Sequence, residues 1–482
     1  MKSRNFLNKR LHFIPSFRLI NLTKYRYSGQ DHSIISRYIL TPYWNKLVTF
    51  IPISIAPNLI TLTGLLFVLL NFILLLIFQS NLSCHNSIKS LDDSSNFQSN
   101  QLIKISNFFK LDSIINLNNS HSVCPGSWLY ISFTIGLWIY QSLDAIDGKQ
   151  ARRTCTSSPL GELFDHGCDA LNTTLGSILA AASLNMGQSW WTVATQTAAL
   201  ANFYLTTWEE YHTGILYLSS FSGPVEGILI LIAVFLITAI YGPSFWEQGI
   251  LSFLKLNTNS WIQALNIKDL SLNKCSLLFA IFSLSSNTLQ SYLNVVKARK
   301  SQQGPNFKTL LGLVPFISLV TINLLWLWSL PIILHHHLVT FMVYYGLCFS
   351  YLVGLLMLSH IVKSPELFPH WNILLLWSLI GLIDSNLNRI SFGYFQGPVI
   401  QTTNAATVAF IRFSIVIAAL VYGYFVIDVI WDICDYCNIN CLTIKNHNGA
   451  QSFKQSFTQS ENEPPSNQSR TNPLDIRKRA NI

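Results

Sequence analysis

Long apolar runs separated by polar connections dominate the chain, and the runs are continuous rather than alternating. Ten of them lie near 58–79, 127–147, 163–186, 189–207, 224–242, 276–296, 309–330, 334–358, 371–390 and 401–428. Each is about as long as a helix must be to cross a hydrocarbon core roughly 30 Å thick. A spanning barrel would instead show shorter segments of alternating character. The pattern predicts an all-α, polytopic bundle of about ten spans with both termini on one side of the membrane.

Four regions follow from this pattern: an arm over 1–56, a catalytic membrane region over 57–242, further spans over 243–428, and a polar tail over 429–482. Within the arm, Thr41-Pro42 reads as an N-cap and first-turn proline opening an aromatic, amphipathic stretch from Tyr43 to Ile55, an expected interfacial helix. Pro57-Asn58 then opens the first span. The connection 80–122 carries 11 Ser and 8 Asn in 43 residues, too polar to supply a packed face. It holds two glycosylation acceptors, at Asn81 and Asn118, if it faces the lumen.

Composition agrees with a membrane protein: 50% of residues are hydrophobic and only 11% charged, against about a quarter in soluble proteins. The net charge of +9 does not point to nucleic acid, because the basic residues sit where they orient a membrane protein. Nine Lys and Arg in 1–57, then Lys149, Arg152 and Arg153, then Lys297, Arg299, Lys300 and Lys308, and finally Arg470, Arg477, Lys478 and Arg479 all fall on the side of the termini. That side is expected to be cytosolic. The basic, acid-poor start resembles a transit peptide in composition but reads as a cytosolic arm.

Other features carry less. The nine cysteines form no evident disulfide pattern, and Cys434, Cys437 and Cys441 lack a fourth ligand for a metal site. His335 to His337 read as an interfacial cap, since consecutive residues point different ways on a helix. Asp384 and Arg412, each inside a late span, are expected to pair.

The chemistry lies in Asp144-Ala-Ile-Asp147-Gly148-Lys-Gln-Ala151-Arg152, followed after eight residues by Gly161-Glu162-Leu-Phe-Asp165-His166-Gly167-Cys168-Asp169. Asp144 and Asp147 are i,i+3, and Asp165 and Asp169 are i,i+4, so each pair shares one helical face. A carboxylate at membrane depth costs several kcal/mol unless paired or bound, and an oxygen-only cluster suits Mg²⁺ or Mn²⁺. Gly148 and Gly161 leave room beside the metals, and Arg152 suits a phosphate. His166, one turn after Glu162, is placed to serve as a base oriented by that carboxylate, with Asp169 as the rival. The full pattern D-x2-D-G-x2-A-R-x8-G-x3-D-x3-D outweighs solvated loop acids or the ion path of a cation-coupled transporter.

On these residues the chain resembles the CDP-alcohol phosphotransferases, and it matches every fixed position of their signature. Further stretches, YSGQDHSIISRYILTPYWN at 27–45, WEEYHTGILYLS at 208–219 and GPVEG at 223–227, resemble the eukaryotic choline and ethanolamine members. The resemblance implies metal at Asp144, Asp147, Asp165 and Asp169, the CDP part near Asn58, Gly148, Ala151, Arg152 and Gly161, and His166 with Glu162 as the base system. It implies CDP-choline or CDP-ethanolamine as donor, diacylglycerol as acceptor, a homodimer, and an endoplasmic reticulum or Golgi membrane. Transfer of another alcohol is the alternative within the family. Glu226, Trp208 and Tyr211 are candidates for the headgroup, by charge attraction and cation–π contact.

Overall fold

The computed structural model describes residues 12–31, 33–84, 124–218, 223–256, 268–300, 309–369 and 371–445. Asn118, Lys308 and the basic positions from Arg470 onward lie outside them. The described chain is helical: α1 (Thr41–Phe50), α2 (Pro57–Phe78), α3 (Ser127–Thr154), α4 (Pro159–Ser183), α5 (Trp190–Thr213), α6 (Pro224–Tyr241), α7 (Leu272–Lys300), α8 (Val314–Trp328), α9 (Leu338–Ile361), α10 (Ile373–Ser385) and α11 (Asn404–Cys437). Helices α2 to α11 correspond one for one to the ten apolar runs. Five helices, α2, α6, α8 with its preceding turn, α9 and α11, are long and apolar enough to cross a membrane by length and composition alone. The site helices α3 and α4 carry their polar residues inward, which lowers their apolar signal without taking them out of the bundle.

Helix α9 is the central one, with 89% of its apolar window inside the protein, against 22% for α6. It packs on α4, α5, α8 and α11. Two glycines set how closely: an added Cβ at Gly346 would come 2.0 Å from Thr174 on α4, and one at Gly354 2.7 Å from Phe425 on α11. Small residues that let helices approach this closely are a general device of membrane bundles. On the other flank α2 packs against α3 and α4, and α3 against α6.

Several boundaries move in ways that local chemistry explains. Thr41 is not an N-cap: it is already helical, because the π-helical turn Ser36–Leu40 runs directly into α1. Helix α4 begins earlier than the apolar run, at Pro159, where the Ser158 hydroxyl accepts the Gly161 N–H. Two three-residue strands, β1 (Gly29–Asp31) and β2 (Leu216–Leu218), pair in parallel and fasten the arm beside the end of α5. His12 Nδ1 lies 2.9 Å from Asp432 and the Phe13 N–H donates to Asp428 at 3.0 Å, fixing the start of the arm to α11. His335 and His336 are exposed at the start of α9, as an interfacial cap requires.

Two expectations are corrected. Asp384 does not pair with Arg412. Its carboxylate accepts the backbone N–H groups of Val399, Ile400 and Gln401 at 2.9 Å each, and the Gln401 side-chain amide at 3.2 Å. An acid at a helix end can satisfy the N–H groups of the loop that returns past it without a cation. The cysteines do form a disulfide, Cys84–Cys124, across the ends of α2 and α3. The sequence hides this bond because the two cysteines are 40 residues apart and adjoin only once the helices pair. Disulfides persist in oxidising compartments, so a bond at this end is compatible with the expectation that the basic residues at the opposite end face the cytosol.

Two outcomes follow. In denatured protein, a thiol-reactive polyethylene glycol should add to seven cysteines without reductant and to nine with it, and Cys84→Ser should raise the unreduced count by one. Equal counts in both states would remove the bond. Asp384→Ala should lower stability by about 1–2 kcal/mol, read as a lower Tm in detergent, because it strands the buried Gln401 N–H and removes two part-buried bonds.

Candidate active site

Helices α3 and α4 run antiparallel, joined by a short turn at 155–158, so the last turns of one face the first turns of the other. This brings together the four aspartates that the spacing singled out. Ligand oxygens of Asp144, Asp165 and Asp169 all lie within 4.8 Å of one another. Asp147 flanks this group and accepts a hydrogen bond from the Thr61 hydroxyl of α2, while Asp169 accepts one from the Tyr140 hydroxyl of α3.

The test of whether these residues fit a cation is what else satisfies them. Asp144 Oδ1 and Asp165 Oδ1 are buried and make no hydrogen bond. None of the ion pairs among the described residues involves any of the four aspartates. Several carboxylates at one point without a basic partner repel strongly, and an oxygen-only donor set suits a hard divalent ion. The residues fit Mg²⁺ or Mn²⁺.

These carboxylates face a cavity of about 1430 Å³ that also contains Asn58, Gly148, Ala151, Arg152 and Gly161. The two glycines mark opposite walls. A Cβ at Gly148 would lie 3.7 Å from the Arg152 guanidinium, and one at Gly161 3.7 Å from Asn58 Oδ1. The residues expected around the CDP part therefore surround one space. The chain after α11 adds a wall: Asn438 ends the helix in a left-handed conformation, a Thr443–Ile55 bridge holds the returning chain, and the Asn58 side-chain amide donates to Cys441 Sγ at 3.8 Å. Burial raises the Cys441 pKa, which favours the protonated thiol. The cavity continues between α4, α5, α6 and α7 past Gly176 and Leu231 to Leu184 and Trp246, with a lining that is apolar for the most part.

The surroundings of His166 differ from the expectation in one respect. Its Nδ1 lies 3.1 Å from the Glu162 backbone carbonyl, and its Nε2 lies 3.3 Å from the Glu210 carboxylate of α5. The Glu162 side chain instead accepts a hydrogen bond of 2.5 Å from Tyr25 in the arm. Glu210 was legible only as part of the WEEYH stretch, and Tyr25 had no sequence signal at all.

Of the headgroup candidates, Glu226 lies on the cavity wall, with one oxygen taken by the Ser33 hydroxyl and the other buried without a hydrogen bond. Trp208 and Tyr211 are placed elsewhere. Trp208 is buried with its indole N–H on the Thr309 carbonyl, and Tyr211 packs on His360 and Phe368. Both lie on faces of α5 turned from the cavity toward the late helices, a rotation that spacing from the aspartates could not give.

Comparison with known proteins agrees with this geometry. The family described as CDP-alcohol phosphatidyltransferase matches residues 114–256. A CDP-alcohol phosphatidyltransferase class-I family protein of Schizosaccharomyces pombe is 39% identical, over 88% of this chain and 96% of its own length. Cholinephosphotransferase 1 of Saccharomyces cerevisiae is 31% identical, over 90% of this chain and 98% of its own. Choline/ethanolaminephosphotransferase 1 of the same yeast is 29% identical, over 90% and 98%. With its ten-helix bundle, its converging aspartates and its near full-length relatives, the chain belongs to the CDP-alcohol phosphatidyltransferase family and is a multi-pass membrane transferase of phospholipid synthesis.

Proposed function

We propose that the protein transfers phosphocholine or phosphoethanolamine from the CDP-alcohol to diacylglycerol, releasing CMP, in the endoplasmic reticulum or Golgi membrane. The observation that carries this reading is the pair of unpartnered aspartate oxygens facing a cavity that also holds Asn58 and Arg152. The names of the yeast relatives support the two headgroups. So does Glu226, whose buried free oxygen offers a counter-charge to a quaternary or primary ammonium.

Asp144, Asp165 and Asp169, with Asp147 beside them, would hold the divalent ion, which when bound neutralises phosphate oxygens. The chain's own groups do the rest. Asn58 and Arg152 orient the nucleotide side of the donor, and the apolar depth of the cavity admits the acyl chains of the acceptor. The acceptor's hydroxyl oxygen forms a bond to the phosphorus that bears the alcohol. The bond from that phosphorus to the bridging oxygen breaks, and CMP leaves with that oxygen. His166 takes the hydroxyl proton. For this, Nε2 turns to the acceptor oxygen, and the 3.3 Å spacing to Glu210 is loose enough to allow it, since a tight charge-assisted bond would be about 2.7–2.9 Å. Glu210, close beside the ring, then stabilises the imidazolium that forms by charge attraction, while the Glu162 backbone carbonyl accepts from Nδ1–H.

Purified protein given labelled CDP-choline or CDP-ethanolamine with diacylglycerol should form lipid product with Mg²⁺ or Mn²⁺ and none with EDTA. Asp165→Asn should reduce transfer roughly 100-fold or more. No product from either donor in folded protein would overturn the substrate assignment. His166→Ala should lower kcat by roughly 10²–10⁴, and Glu210→Gln by about tenfold or more; a Glu210→Gln enzyme with wild-type kcat would remove the carboxylate from the base system.

A further inference from the structure

Two carboxylates reach the neighbourhood of the His166 imidazole, and only one faces it. Glu162 and Glu210 lie near enough to repel each other. Glu210 Oε2 sits 3.3 Å from Nε2, whereas Glu162 Oε1 is held by the Tyr25 hydroxyl at 2.5 Å. Tyr25 comes from the arm, 137 residues earlier in the chain, and its place is set by contacts on several sides. Its ring meets His360 edge-on at 5.8 Å. The Asn21 amide donates to the Val362 carbonyl at 2.7 Å and Arg18 to the Lys363 carbonyl at 3.2 Å, fixing the arm to the C-terminal end of α9. On the far side of Tyr25, β1 pairs with β2 just beyond α5, the helix that carries Glu210.

We propose that Tyr25 is a positioning residue for the transfer: by holding Glu162 away from His166 it leaves Glu210 as the carboxylate partner of the imidazole, and it makes the N-terminal arm part of the active site. The inference rests on the transferase reading above. Burial, then the Glu162 charge, keeps the Tyr25 phenol protonated far above the ordinary range, so it is a constant donor. Without that hydroxyl, Glu162 would lose its neutral donor and be left against the Glu210 carboxylate, which repels it when both are charged. The nearest cationic group to which it could turn is the imidazole one helical turn away. It would then compete with Glu210 for the ring, leaving the imidazole between two carboxylates and Nε2 less free to turn to the acceptor's hydroxyl.

The experiment is a double-mutant cycle on the purified full-length enzyme, with the CDP-alcohol that wild type uses, diacylglycerol and Mg²⁺. Tyr25→Phe keeps the ring on His360 and removes only the hydroxyl. It should lower kcat roughly 10- to 100-fold, the size of one lost charge-assisted hydrogen bond, with KM for both substrates within about twofold. Tyr25→Phe combined with Glu162→Gln should cost no more than Glu162→Gln alone, because the hydroxyl acts through that carboxylate. Glu162→Gln should itself retain more activity than Glu210→Gln, a comparison that holds even if Tyr25→Phe fails to fold. Wild-type kcat in Tyr25→Phe, a loss confined to KM, additive losses with Glu162→Gln, or equal losses in Glu162→Gln and Glu210→Gln would each overturn the proposal. Absence of product from wild type would instead sink the transferase reading on which it stands.

Discussion

Four carboxylates held inside an apolar bundle are the constraint around which this protein is organised. Asp144 lies ten residues before the end of α3 and Asp169 ten residues after the start of α4, about 15 Å along each helix axis. Acids at that depth need partners, and the chain supplies only some of them. Thr61 on α2 and Tyr140 on α3 donate to Asp147 and Asp169, while Asp144 and Asp165 keep oxygens that no protein group satisfies. A structural ion-pair network would have closed that account with Lys or Arg. The chain keeps its nearest guanidinium, Arg152, on the cavity wall toward the helix end, where a phosphate would meet it.

The rest of the architecture follows from keeping α3 and α4 in register. Lateral support comes from α2, packed on both, and from α9, which approaches α4 so closely that only glycine fits at position 346. At the end of the bundle away from the site the Cys84–Cys124 bond joins the ends of α2 and α3, and Asn185, just past α4, exchanges hydrogen bonds with the Cys84 backbone at 2.8 and 3.1 Å. At the opposite end the arm and the chain after α11 close over the site from two directions. The acidic centre is thus braced at both ends by segments far from it in sequence.

What could be read from the sequence, and what could not, divides along this line. Helix number, their order and the aspartate faces depend on periodicity and on spacings of three and four residues, which are local. Glu210, Tyr25 and the disulfide depend on which helices become neighbours and on how each is rotated. Trp208 shows the cost of that missing information: as an aromatic residue near acids it suited a cationic headgroup, yet α5 turns it onto the Thr309 carbonyl. Asp384 shows the same in another form, since an intramembrane acid suggests a basic partner and the structure satisfies it with three backbone N–H groups of a loop. The Glu162–His166 relation was half legible. Their i,i+4 spacing does place them together, but the contact is to the Glu162 backbone carbonyl, and a residue of the arm takes the carboxylate.

The position of the site also reconciles two substrates of opposite solubility. A nucleotide-linked donor must arrive from water and a diacyl acceptor from the bilayer, so neither a surface site nor a fully buried one would serve both. Placing the aspartates about 9–15 Å inside helices that end in polar turns gives the cavity one part lined by Arg26, Lys149 and Arg152 and another lined by residues such as Leu231 and Trp246. Helix α6, which carries Glu226 at its first turn, is also the candidate span with the smallest share of its surface inside the protein. Among the five apolar candidate spans, the carboxylate proposed to meet a cationic headgroup therefore stands on the one with the smallest share inside the protein.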